Sequence, residues 1–442
     1  MVRGKRWYAM LALLAALALV AAACGGGEEE PSAGPTETGG GGADLSGQSV
    51  EVAAVWTGTE QESFQQVLDA FSEQTGADVQ YTSTGDDVAA VLGTRVEGGD
   101  PPDVAFLPQP GLLRDFVDQD ALIAIDDVAG DEVDANYAPV WRELGTVDGT
   151  LYGVWFKAAN KSTVWYNTNV FGNAGVSAPE DWDGMLETAG TISDFGVTPW
   201  SIGGADGWTL TDWFENVYIR TAGPDMYDQL TNHEIPWTDQ SVKDALTTLA
   251  DVFSDKSMIA GNPLQTDFPT SVANVFASPD SPDASIVYEG DFVAGVISGE
   301  TDSTVGEDAD FFTFPSIDGS APSVVGGGDV AVLMKDSDAG KALMEFLASP
   351  EAGQVWAGLG GFTSPNQNVD LGVYPDDITR KSAEALTSAE TFRFDLSDLQ
   401  PAEFGGTVGQ GLFKLFQDFL ENPDDIDGVT KQMEDAAAKA FG

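Results

Sequence analysis

Histidine occurs once in this 442-residue chain, at His233, and cysteine once, at Cys24. Nucleophilic triads and zinc centres generally draw on histidine, and Asn232-His233-Glu234-Ile235-Pro236 holds no second histidine for a metalloprotease pair. That removes most hydrolase chemistry, and no catalytic residue, metal-ligand set or cofactor motif stands out. The 72 aspartates and glutamates leave one enzyme class open, the two-carboxylate glycosidases. Binding chemistry is better supplied. Eleven tryptophans offer apolar ring faces, and carboxylates and amides grip hydroxyl groups that both donate and accept.

Two lysines in a chain with only 19 basic residues fall in one stretch, Asp148 to Asn167, reading DGTLYGVWFKAANKSTVWYN. Leu151 to Phe156 and Val164 to Tyr166 read as strands, the first after an Asp148-Gly149 turn signal. Between them a polar step holds the hydrogen-bond donors Lys157, Asn160, Lys161 and Ser162. The stretch is therefore expected to cross between two lobes, with the lysines at the floor of a cleft or paired with surface carboxylates.

Upstream, Val50 to Trp56 reads as a strand. A helix follows with Phe64, Val67, Leu68 and Phe71 on one face, Thr59 and Glu62 at capping-box spacing, and Gly76 as its stop. Val79 to Thr82 and Asp103 to Leu107 continue the pattern around a second helix that Asp87 can cap. A β-α-β-α order predicts mostly parallel sheets covered by helices, with ligands beyond the carboxyl ends of the strands. The loops there hold Trp56, Thr57 and Glu60, then Thr84 to Asp87, then Pro108-Gln109-Pro110. None has phosphate-cradling glycine spacing.

In the second half, Trp200 and Trp208 flank a Gly203-Gly204 loop and are site candidates, whereas Trp213 has the spacing of a core residue. The run Val324-Val325-Gly326-Gly327-Gly328-Asp329 permits a close backbone approach. Asp425, Asp427, Gly428 and Glu434 match part of a calcium loop, but Pro423 at its first position makes a capped helix start the better reading.

The N-terminus carries Arg3, Lys5 and Arg6, then an apolar run through Ala23. That is a signal-peptide layout over 1–23. Cys24, after small residues and before a Gly-rich polar stretch, resembles the cysteine of a bacterial lipobox, with 24–44 as lipid anchor and flexible linker. The formal charge of −53 repels nucleic acid and anionic ligands. It suits a saline or acidic exterior more than a cation-binding role.

The order of parts from Val50 to the C-terminus resembles the extracellular solute-binding proteins of ABC importers, in the sugar-binding group that includes maltose- and α-glucoside-binding proteins. The strings that carry the resemblance are PPDVAFLPQPG, DGTLYGVWF with VWYN, TPWSIGG, YEGDFVAG, FTFPSIDG, VVGGGDVAVL and KALMEFLASPEAGQVWA. It implies an α/β, two-lobed periplasmic-binding-protein-like fold with a hinge, lobe one being about 45–156 plus 318–365 and lobe two about 158–315 plus 366–442. It further implies a carbohydrate ligand, importer permease subunits as partners, a monomer, and no cofactor. Its ligand-facing loops map onto Trp56, Glu60, Asp87, Gln109, Lys157, Trp200, Trp208, Asp212, Asp291, Phe292, Gly328 and Asp329. One departure is plain: where many relatives place an aspartate and an arginine after the third strand, this chain has Gln109 between prolines. Two alternatives remain, a secreted glycosidase and a binder of a cationic solute such as a polyamine; Lys157 at the cleft argues against the second.

Overall fold

A largely buried run along Ser49–Ala54 marks the first strand, β1, in the computed structural model, which describes residues 44–85 and 87–442 apart from the side chains of Thr387 and Ser388. The expected leader 1–23 and Cys24 lie outside the described residues. Then come β2 (Asp78–Ser83), β3 (Val104–Leu107), a hairpin of β4 (Thr146–Val147) and β5 (Thr150–Leu151), β6 (Gly153–Asn160) and β7 (Thr163–Asn167). The later strands are β8 (Trp200–Ser201), β9 (Ile286–Glu289), β10 (Ala309–Thr313), β11 (Val324–Leu333) and β12 (Phe392–Phe394).

The helix after β1, Gly58–Thr75, buries Phe64, Val67, Leu68 and Phe71, as their spacing requires, and stops at Gly76 with φ 78°. Its N-cap is Thr57; Thr59 and Glu62 lie inside the helix, which corrects the capping-box expectation. Asp148 and Gly149 turn the β4–β5 hairpin with φ of 50° and 81°, a conformation that glycine and aspartate tolerate.

The α/β expectation holds, but the sheets are mixed rather than mostly parallel. In the first, β1 is parallel to β2 and β3, while β11 runs antiparallel to β3 and β6 and parallel to β12. In the second, β7 runs antiparallel to β9 and β10, and only β8–β9 is parallel. The reversals have a common cause. Strands that enter a sheet after the chain has crossed from the other one are free of the short βαβ connection that enforces parallel pairing.

The crossing falls where the polar step predicts it: β6 belongs to the first sheet, β7 to the second, with Lys161 and Ser162 between them. The chain returns from β10 to β11. One core gathers around Phe64, Phe106, Trp155 and Trp356 and also takes in Val369, Tyr374, Leu386 and Phe394. A second surrounds Trp213, Tyr288, Trp237 and Phe416. The opposite face of the second sheet buries Trp165, Val287 and Phe311 in a smaller cluster, as alternation along β7 and β9 demands.

Gly326, Gly327 and Gly328 lie in β11 opposite Asn160, Ala159 and Ala158 of β6. A Cβ on Gly328 would stand 2.3 Å from the Lys157 carbonyl oxygen, so only glycine fits there. The register then slips between Asp329 and Val330. Such a bulge re-aims a side chain, and Asp329 lines the cavity described next.

Candidate functional site

A cavity of about 450 Å³ opens between residues of the first core and residues of the smaller cluster around Trp165. From the first side come Trp56 and Glu60, at the start of helix Gly58–Thr75, and Gln109 after β3. Lys157, Gly328 and Asp329 supply the floor from β6 and β11. From the second side come Trp208, the first residue of helix Trp208–Thr221, and Phe292, which follows β9. The structure thus brings these expected residues to one place.

Their electrostatics are tightly linked. The Lys157 ammonium is bonded to Glu60 and lies 5.7, 5.6 and 5.1 Å from the rings of Trp56, Phe292 and Trp356. Burial opposes its charge, but Glu60 and Asp329 outweigh burial and hold it above the usual lysine value. Burial likewise pushes Asp329 up to about 6, against the pull of Lys157 and a hydrogen bond to Trp56. Trp208 is half-buried, 5.4 Å from Phe268 and 6.0 Å from Phe292 by ring centroids. One wall is therefore aromatic, and the floor carries carboxylates held in place by an ammonium.

Four expected residues do not line the cavity. Trp200 opens β8, is 2% exposed, and packs edge-on against Trp213 in the second core. Asp87 precedes helix Val88–Glu97 as its N-cap and is exposed. Asp291 turns its carboxylate to Thr363 and Ser382, whose hydroxyls donate to it at 2.5 and 3.3 Å; burial raises it to about 6. Asp212 is fully buried in helix Trp208–Thr221, where it accepts from Lys161 at 3.2 Å. The partial calcium-loop match is a helix cap: Asp425 accepts from the Gly428 amide, and Glu434 binds the Trp237 amide and His233.

The sequence reading left Lys161, Asp206, Asp267, Phe268, Asp398 and Phe413 out of its site set, yet all line the cavity. Lys161 carried a signal, being one of the donors at the crossing. Its Nζ lies 5.5 Å from the Trp208 ring and reaches Asp395 at 2.5 Å and Asp398 at 3.9 Å. Asp212, Glu215 and Asp395 each place a carboxylate oxygen within 4.8 Å of the others, the spacing of a metal set. All of their oxygens except Asp212 Oδ2 are otherwise engaged. Glu215 accepts from the amides of Leu396 and Ser397 and from the Tyr227 hydroxyl, and Lys161 supplies the positive charge.

The profile of the bacterial extracellular solute-binding proteins matches residues 56–354, and 37% of 380 aligned residues are identical to the osmoprotective compounds-binding protein GgtB of Synechocystis, over 84% of this chain and 88% of that one. The chain belongs to the bacterial extracellular solute-binding proteins. This solute-binding protein is also 34% identical over 389 residues to the alpha-glucosides-binding periplasmic protein AglE of Rhizobium meliloti, covering 84% of one and 83% of the other. The solved bacterial solute receptor AcbH shares its fold with a TM-score of 0.79 at 20% identity, over 89% of this chain and all of that one. The GacH receptor of Streptomyces glaucescens does so at 0.74 and 16%, over 90% of this chain and 99% of that one. The family is one of solute receptors for ABC transporters and not of enzymes. Among the described residues, no helix is long and apolar enough to cross a membrane.

Proposed function

We propose that this solute-binding protein captures a sugar, an α-glucoside or a maltooligosaccharide, in the cavity floored by Lys157 and Asp329 and delivers it to the permease subunits of an ABC importer. The observation that carries the reading is the cavity lining: Trp208, Phe268 and Phe292 offer ring faces, while Glu60, Asp329 and Gln109 offer hydroxyl acceptors and donors. A pyranose presents apolar C–H faces between equatorial hydroxyls, so both surfaces are used at once. Its volume is within the range of small-molecule sites, and the relative AglE is named for α-glucosides. The relative GgtB, named for osmoprotective compounds, favours a second reading, a small uncharged osmoprotectant bearing hydroxyls.

The expected site residues Trp56, Glu60, Gln109, Lys157, Trp208, Phe292, Gly328 and Asp329 form the proposed contact set. The two cores serve as lobes, with the crossing at Lys161 and Ser162 as hinge, and residues around 369–394 side with the first. Thermal-shift measurements over α-glucosides, polyols, uronic acids and polyamines test the reading. A ligand at 100 times its dissociation constant raises stability by about 2.7 kcal/mol. A response to polyamines alone would replace the sugar with a cation.

We further propose that ligand capture is coupled to lobe closure, a reading supported by close contacts between helices of the two sides. Helix Val293–Glu300 meets the start of helix Gly58–Thr75, where a Cβ on Gly299 would fall 2.2 Å from Thr59 Oγ1. Gly361 also comes close to Gly295, with 2.5 Å from its would-be Cβ to the Gly295 Cα. Gly299→Val is expected to oppose the closed state by about 1–3 kcal/mol, weakening binding between about 5- and 150-fold while the unliganded melting temperature stays put. Calorimetric titration and melting of the same variant check this.

Cys24 is the proposed site of lipid attachment, holding a monomer at the outer face of the cell membrane. Cys24→Ser is expected to move the protein from the membrane fraction to the medium with unchanged ligand affinity; fractionation of cells producing both forms reads it.

A further inference from the structure

Gln109 is the N-cap residue of helix Pro110–Asp118, yet its side chain does not cap that helix. The residue is 6% exposed and lines the cavity, and its carboxamide meets no hydrogen-bond partner among the described residues. The other buried polar groups of the lining are committed. Lys157 is bonded to Glu60 and draws Asp329, while Lys161 reaches Asp395 at 2.5 Å and stands 3.9 Å from Asp398. A buried amide with nothing to bind is costly, and the cost disappears when a group in the cavity pairs with it.

A glycine from the last part of the chain holds the amide in place. A Cβ on Gly406 would stand 1.6 Å from Gln109 Nε2, 2.2 Å from Cδ and 2.3 Å from Oε1, so the carboxamide lies directly on the Gly406 backbone. The Gly406 φ of −135° is outside the left-handed region, so glycine is required here for space rather than for backbone freedom. The segment before Gly406 is fixed to the helix that Gln109 precedes. Arg114 donates to the Leu399 carbonyl at 3.2 Å, the Ala402 amide donates to Asp115 at 3.3 Å, and a Cβ on Gly111 would fall 1.9 Å from the Gln400 carbonyl oxygen.

We infer that Gln109, held on Gly406, is the specificity-determining residue of this cavity: its amide donates to one ligand hydroxyl and accepts from a neighbouring one. The inference rests on the reading of the cavity as a sugar site and narrows it to uncharged solutes with two adjacent free hydroxyls. A carboxylate in that place would only accept and an ammonium only donate, whereas a carboxamide matches the dual character of a hydroxyl pair. An analogue that lacks either hydroxyl leaves the amide unpaired in the occupied cavity. A site built to hydrogen-bond a hydroxyl rejects such an analogue more strongly than an apolar pocket rejects a missing methylene.

Gly406→Ala is the decisive variant, because the nearest atoms to its new Cβ all belong to the flexible end of Gln109, which is displaced while the backbone stays. Calorimetric titration of the full chain with α-glucosides, polyols and their monodeoxy analogues compares the wild type, Gln109→Ala, Gly406→Ala and the double variant. Each single change is expected to weaken the hydroxylated solute that the wild type binds by about 5- to 100-fold, at unchanged unliganded melting temperature. The double variant is expected to bind no more weakly than Gln109→Ala, because Gly406→Ala acts through that amide. The wild type is expected to reject one monodeoxy analogue that Gln109→Ala no longer tells from the parent solute. If Gly406→Ala does not fold, Gln109→Glu, which keeps the size and exchanges the donor for an acceptor, reads the same loss. Single variants that bind like the wild type would overturn the inference and leave the sugar reading standing, and losses that add in the double variant would also overturn it. A wild type that binds no hydroxylated solute would end both.

Discussion

Lys161→Met is expected to cost about 3–5 kcal/mol of stability, because, among the described residues, it removes the ammonium that faces the buried carboxyl groups of Asp212, Asp395 and Asp398, with Glu215 and Glu289 buried nearby, and leaves the survivors uncompensated. The side chain is 11% exposed and its partners Asp212 and Asp395 are 0% and 1% exposed, so water cannot replace it. The loss depends on pH in a defined direction. Without the ammonium the carboxyls rise further, so the deficit is largest near pH 8 and shrinks towards pH 5, where protons substitute for Lys161. Denaturant unfolding of the variant and the wild type at both pH values measures it. Adding Asp212→Asn to Lys161→Met is expected to recover part of the loss, since one buried anion disappears with the cation.

Two tryptophans that the sequence presents alike are expected to behave oppositely. Trp208 lines the cavity with a half-buried ring; Trp200 is sealed in the second core against Trp213. Trp208→Ala is expected to cost about 2 kcal/mol or more of ligand affinity, over tenfold, with a small change in melting temperature. Trp200→Ala is expected to cost about 3–5 kcal/mol of folding stability and, where the variant folds, little affinity. Titration and melting on both variants separate the roles. A Trp208→Ala protein that binds normally but melts early would make Trp208 a core residue.

Local pattern made the first strands, the helix face through Phe71 and the crossing at Lys161 legible, because each is set by burial period or by a polar break within a few residues. Strand direction was not. The glycine run and apolar residues from Val324 to Leu333 carry no mark of direction, and their antiparallel pairing with β3 and β6 depends on chain that returns from the other core. The site divided along the same line. Trp56, Glu60 and Gln109 follow strands by short connections and Lys157 lies within β6, so strand order alone carries them to the cavity. Trp200 and Asp212 failed as lining residues because side-chain chemistry cannot tell a stacking indole from a packed one, or a hydroxyl acceptor from the partner of a buried lysine. Asp398 and Phe413 reach the cavity from the last part of the chain, and no spacing rule links them to Trp56.

Calorimetric titration of the purified protein with α-glucosides, run in parallel on wild type and Trp208→Ala, tests the central claim most directly. The account predicts saturable one-to-one binding of at least one α-glucoside by the wild type, weakened more than tenfold in the variant at equal folding stability. It is contradicted if no α-glucoside or other hydroxylated solute binds, or if the sugar that binds does so with the same affinity after Trp208 is removed.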